Sequence, residues 1–183
     1  KTQLQDLLLR HNTKEQARFY LQAQGDDFSV IAQRHETYMA ALAILKSSLP
    51  QNMKLAVIDR SFLPQFDFLD DVVFAIGQDG LVSNTAKYLN GQPLIGINPE
   101  PDFIEGVLLP WRVDQVEKLL VKVLAEKQAL QSVTLAEATL NDGRTLLAFN
   151  DLFIGQAGHS SAVYDIEFAG RQEFQSSSGI IVS

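Results

Sequence analysis

Cysteine is absent from the 183 residues, which excludes disulfides, thiolate zinc sites and thiol catalysis and fits a reducing, cytoplasmic setting. No apolar run approaches the roughly 20 residues of a membrane-spanning helix, and no signal peptide is visible. Positive charge is scarce. With 15 Lys and Arg against 22 Asp and Glu the net charge is -7, and no long basic run offsets it, which argues against general nucleic-acid or anionic-membrane binding. Nucleotides remain compatible, because a few oriented N–H groups and a metal ion bind phosphate on an acidic protein. Neither Gly-x-Gly-x-x-Gly nor a P-loop is present, which removes an ordinary dehydrogenase and a Walker-type ATPase. His11, His35 and His159 lie far apart without metal-ligand spacing. His159-Ser160-Ser161 lacks the Gly-x-Ser-x-Gly elbow of a serine nucleophile and reads as a loop between strands. The chain begins with Lys1 and not Met, so a fragment or ordered core is expected.

What is present is ordinary globular material, 46% hydrophobic and 20% charged, long enough for one large domain or one domain plus part of another. Leu4, Leu7, Leu8 and His11 predict a short amphipathic helix ending near Asn12. Thr13-Lys14-Glu15-Gln16 has capping-box spacing and opens a second helix, although Arg18-Phe19-Tyr20-Leu21 suits a strand as well. Ile31, His35, Tyr38, Leu42, Leu45 and Leu49 recur at spacings of four and three along one helical stripe, ended by Pro50. His35 on that stripe reads as a core-edge residue.

Lys54 to Asp59 reads as a strand, Arg60 to Phe68 as a loop with apolar anchors, and Val72 to Ile76 as a strand covered on both faces. A Gly77-Gln78-Asp79-Gly80 turn follows, then a helix over Leu81 to Leu89 and a strand over Pro93 to Asn98. The glycines let a ligand lie against the main chain, and the helix start offers unpaired N–H groups suited to phosphate. Asp79 stands where open α/β sheets bind ligands, and a carboxylate beside phosphates holds a metal ion or accepts a proton from an attacking hydroxyl. The same turn also suits a plain connection with a solvated Asp79.

This succession predicts a Rossmann-like, doubly wound α/β domain over residues 1–131, closed by a long helix from about Arg112 to Gln131. Trp111 reads as a packing residue. Beyond Ser132 the pattern alternates: Val133 to Leu140, a hairpin turn at Asn141-Asp142-Gly143-Arg144, Thr145 to Asn150, Ala162 to Phe168 with a turn at Ala169-Gly170, and Gly179 to Val182. Residues 132–183 are therefore expected to form part of a β-rich domain. Its apolar last strand leaves an open edge, so pairing with missing strands or a second subunit is expected.

Three blocks lie in the order and approximate spacing of the hallmark blocks of NAD kinases: Gly77-Gln78-Asp79-Gly80, Asn150-Asp151 with Leu152-Phe153-Ile154-Gly155, and Ser176-Ser177-Ser178-Gly179-Ile180-Ile181-Val182-Ser183. From about Ala56 to Ser183 the chain resembles that family, in the style of its divergent bacterial, sugar kinase-like branch. The resemblance implies ATP- and magnesium-dependent phosphorylation of the adenosine-ribose 2'-hydroxyl of NAD to give NADP. Asp79 would be the proton acceptor, with Gly77, Gly80 and Asn84 in the nucleotide cradle. Asn150 and Asp151 would hold the dinucleotide through ribose and amide contacts, and Ser178 would lie beside the substrate. It further implies small-molecule nucleotide partners; a homodimer or homotetramer is expected from the open β edge, and a cytoplasmic setting from the absence of cysteine.

The sequence departs from the family at named points. Gln78 replaces the second glycine of the usual turn, Leu81 replaces its threonine, and Asn98-Pro99-Glu100-Pro101 stands where an asparagine-glycine-rich loop is usual. The Thr-Gly-Ser-Thr-like block that should follow Ser183 is missing, so truncation is expected and the fragment itself is open to being inactive. Two alternatives accompany this reading: a related kinase acting on a sugar or lipid hydroxyl, and a catalytically silent nucleotide-binding module.

Overall fold

The computed structural model describes residues 1–183, and the chain divides into two compact units, Lys1–Gln131 and Ser132–Ser183. The first unit opens with three helices whose ends are written in the sequence. Thr2 and Gln5 form a reciprocal capping box on α1 (Gln3–His11), and Asn12 ends it at φ 62°. The Thr13 hydroxyl accepts the Gln16 N–H at the start of α2 (Lys14–Gln24), and Gly25 closes that helix in the left-handed region. The Asp27 carboxylate accepts both the N–H and the hydroxyl of Ser29 at the start of α3 (Phe28–Ser48), which holds its titration below the usual carboxylate range. Leu4, Leu7, Ala17, Leu21, Phe28 and Ile31 bury one cluster among these helices. At its edge His35 Nδ1 meets the Thr2 hydroxyl at 2.7 Å.

The sheet of this unit has three parallel strands in the order β1 (Val73–Ile76), β2 (Leu94–Asn98), β3 (Trp111–Arg112). Helix α4 (Asp79–Ala86) connects β1 to β2, and α5 (Val116–Leu124) follows β3. The period-2 alternation of the strands divides two cores. Ile76, Ile95 and Ile97 join Ala41 and Leu45 of α3 and Val116, Leu119 and Leu120 of α5. On the other face Ala75 packs with Val82 of α4 and with Leu109.

This corrects the expected doubly wound fold. Such a sheet grows both ways from its first strand and leaves a crevice where the order reverses; here the order runs 1-2-3 without reversal. The expected strand Lys54–Asp59 joins no ladder, although its residues are apolar enough, and β1 is left as an edge. A short 3-10 turn, Arg60–Gln65, follows with Leu63 buried. The long closing helix is also shorter than expected. It ends at Leu124, Glu126 sits at φ 54°, and Leu130, inside the expected range, faces solvent.

The second unit consists of three two-stranded antiparallel ladders. Strands β4 (Ala136–Thr139) and β5 (Thr145–Ala148) flank the Asn141-Asp142-Gly143 turn, with Gly143 at φ 85°. Strand β6 (Leu152–Gly155) pairs with β9 (Gly179–Val182), and β7 (Ala162–Phe168) pairs with β8 (Arg171–Ser177). Ala169 and Gly170, both at positive φ, make the tight β7–β8 turn. Only Ala148 and Ala162 are buried in this unit.

Candidate functional site

The candidate turn sits at the carboxyl end of β1. Gly77 extends the β1–β2 ladder by donating its N–H to Ile97 O at 3.2 Å, and its φ of 153° with Leu81 Cδ2 beside it leaves little room for a side chain. The chain then enters α4, whose N-cap residue Gln78 gives no side-chain cap. Amides of the first turn are therefore left without a capping side chain. Gly80, in that turn, is exposed, has ordinary φ, and a Cβ there would meet nothing within 4 Å. Neither conformation nor packing requires this glycine. Asn84 lies on the same helix and is half-buried.

Asp79 is held by a loop that is remote in sequence. Its Oδ2 accepts the Val107 N–H at 3.0 Å and its Oδ1 the Leu108 N–H at 2.9 Å. Two adjacent main-chain donors thus meet one carboxylate, which fixes the plane of the acid and the course of the loop together.

Sequence reasoning missed the rest of this loop's support. The side chain of Asn98, buried at the end of β2, accepts the Glu100 N–H at 3.0 Å and donates to Ile104 O at 2.8 Å. Gly106, at φ 67°, leaves room for Asn98 Nδ2. Gly96 lets the Leu108 carbonyl lie against β2 where any Cβ would collide with it. The isolated glycine inside an apolar strand was the available signal of close backbone approach. Glu100, 8% exposed, pairs with Arg34 of α3 at 3.3 Å and ties the start of the loop to the helical layer.

In the second unit Asn150 and Asp151 are exposed, immediately before β6, and Ser178 is exposed between β8 and β9. Since Leu152 pairs with Val182 and Gly155 with Gly179, Asp151 and Ser178 flank opposite ends of one ladder. At ~3.3 Å per residue they are separated by roughly 15 Å. Ser177, not Ser178, is the engaged serine of this block: its hydroxyl meets Tyr164 OH at 2.9 Å and donates to Gly179 O at 3.0 Å.

Gly77, Asp79, Gly80 and Asn84 are thus gathered in the first unit, Asn150 and Asp151 together in the second, and Ser178 apart from that pair. No group of three His, Asp or Glu side chains converges as a metal site. No helix is long and apolar enough to cross a membrane. Comparisons with family models, with curated proteins and with solved structures gave no match to this chain.

Proposed function

We propose that the chain belongs to an NAD kinase-like phosphotransferase that uses ATP and magnesium to phosphorylate the adenosine-ribose 2'-hydroxyl of NAD. The observation carrying this reading is Gly80. An exposed glycine in the first turn of a helix lowers helix stability by about 1 kcal/mol relative to alanine, and here no steric or conformational demand explains it. A phosphate lying against the first-turn amides supplies the missing reason.

In this reading Asp79 accepts the hydroxyl proton. Its two amide bonds leave lone pairs free, since an ionised carboxylate offers about four acceptor sites. Magnesium is carried largely by the nucleotide phosphates, with Asp79 as the nearby protein carboxylate, in keeping with its habit of keeping few protein ligands. The ion neutralises phosphate charge, and the chain's share of the work is positioning. Gly77 gives the phosphates access to the main chain and Asn84 lines the helix beyond them; for Asn150 and Asp151, exposed in the second unit, the family resemblance alone supports a part in holding the dinucleotide. Ser178 lies at the opposite end of the β6–β9 ladder from that pair. Nucleotides are the partners, in the cytoplasm, with a homodimer or homotetramer as the working form.

A second reading is favoured by the engagement of both Asp79 oxygens: a silent nucleotide-binding module in which Asp79 only holds the loop. The deciding experiment incubates the protein with labelled ATP, magnesium and a panel of NAD, sugar alcohols and lipid alcohols, beside the variants Gly80→Ala and Asp79→Asn. Labelled NADP, lost in Asp79→Asn and reduced in the still-folded Gly80→Ala, supports the kinase. Label on a sugar or lipid moves the acceptor; NAD binding without any product supports the module.

A further inference from the structure

A cavity of about 410 Å³ lies in the first unit between α3, α5, the outer edge of β1 and the strap Met53–Ile58. Ile76 of β1 and Leu81 and Thr85 of α4 also line it, so it backs onto the Asp79 turn, but neither Asp79 nor Gly80 lines it and its assignment does not rest on the kinase reading. Leu42 and Leu45 of α3 and Leu120 and Val123 of α5 line its apolar side. Phe66 and Phe68, stacked edge to face at 5.0 Å, line it as well.

Three observations point to a bound molecule that is apolar along its body and anionic at one end. First, the edge of β1 is open. Val73 and Gly77 donate their N–H groups toward β2, so alternation turns the N–H groups of Phe74 and Ile76 the other way, and both residues line the cavity. No main-chain hydrogen bond joins Lys54–Ile58 to that edge. Second, Lys46, Lys54 and Arg60 line the cavity against Asp70 and Asp71, so cations outnumber carboxylates there although the chain as a whole carries -7. Third, the half-buried Tyr38 lines the cavity too. Its phenol is protonated at neutral pH, so the hydroxyl is a donor.

We propose that this cavity binds an amphipathic carboxylic acid, its apolar body between α3 and α5 and its carboxylate met by Lys46 and Lys54. An apolar cavity of about 150 Å³ holds benzene, so this one suits a body on the order of ten carbons. Its volume falls within the usual range of small-molecule sites. The strap belongs to no ladder and parts to admit the ligand without breaking one.

The test titrates the full chain with sodium decanoate below its micelle concentration and reads the heat of binding. Saturation at one site per chain is expected. Lys46→Glu with Lys54→Glu, both exposed positions, should weaken it about tenfold or more, as loss of charge-assisted contacts does. The same double variant should bind decanol as the unaltered chain does, and Val123→Trp, which intrudes into the cavity from its apolar side, should weaken both ligands. Should Val123→Trp fail to fold by circular dichroism, the surface charge variant decides alone. Unsaturable binding, or decanoate affinity unchanged by the charge reversal, overturns the proposal.

Discussion

The two units spend the same kinds of residues differently. Lys1–Gln131 buries three clusters of apolar side chains, with Ile97, Val116 and Leu119 fully enclosed, although Phe19, Phe103 and Val107 stay exposed. In Ser132–Ser183, Phe153, Phe168, Phe174 and Ile181 are each more than 60% exposed and two alanines are the buried residues. The contrast follows from layering. Parallel strands joined by helices bring their own cover, whereas isolated two-stranded ladders have one layer and nothing to close it, and such ladders are marginal in water. Burial, not hydrogen bonding, separates the units, since every ladder in both is paired in register.

The sharpest way to break this comparison is amide hydrogen exchange on the whole chain. Amides of β2 and α5 should exchange on the order of 10³-fold more slowly than those of β6 and β9, because core elements open only with global unfolding. Equal protection in both units would mean that the second one is covered by another molecule in solution. A mutational pair comes next. Ile97→Ala should cost about 2–5 kcal/mol in urea denaturation, while Ile181→Ala should stay within about 0.5 kcal/mol. Asp79→Asn removes one of two acceptors facing Val107 and Leu108 and should cost about 1–2 kcal/mol, with faster proteolysis within residues 99–110.

Gly80→Ala should act in the opposite direction. It should stabilise the first unit by about 0.4–1 kcal/mol, because alanine fits the site without strain and narrows the unfolded ensemble, while weakening ATP binding. The smallest effect concerns acid. The folded titration of Asp27 lies below its unfolded value, so its contribution to α3 is full above about pH 4 and is lost as pH falls through the lowered folded value. Asp27→Asn should remove that part of the acid-induced loss of helicity, followed by circular dichroism.

Local signals were legible in the sequence, and remote ones were not. Thr13 and Asn12 announce helix ends because each acts on groups a few residues away. Asn141-Asp142-Gly143 announces its hairpin for the same reason. Lys54–Asp59 has strand composition, but a strand also needs a neighbour, and no short window records whether one is in reach. The doubly wound expectation failed with that strand, since it supplied one wing of the sheet. Asp79 was singled out as a carboxylate beside phosphates. Its amide partners lie 28 and 29 residues further on, beyond any local pattern, and the support from Asn98 and Gly106 was equally invisible.

The carboxylate bridge to Val107 and Leu108 closes a ring in the chain that contains α4 and β2. Within that ring the connection Asn90–Gly91 is exposed and belongs to no helix or strand. Cutting the backbone there would leave the two pieces still held together, by the Asp79 clasp and by the β1–β2 ladder. New chain termini could therefore be placed at Asn90–Gly91 with the turn kept whole, which makes this connection the natural point at which to attach a reporter.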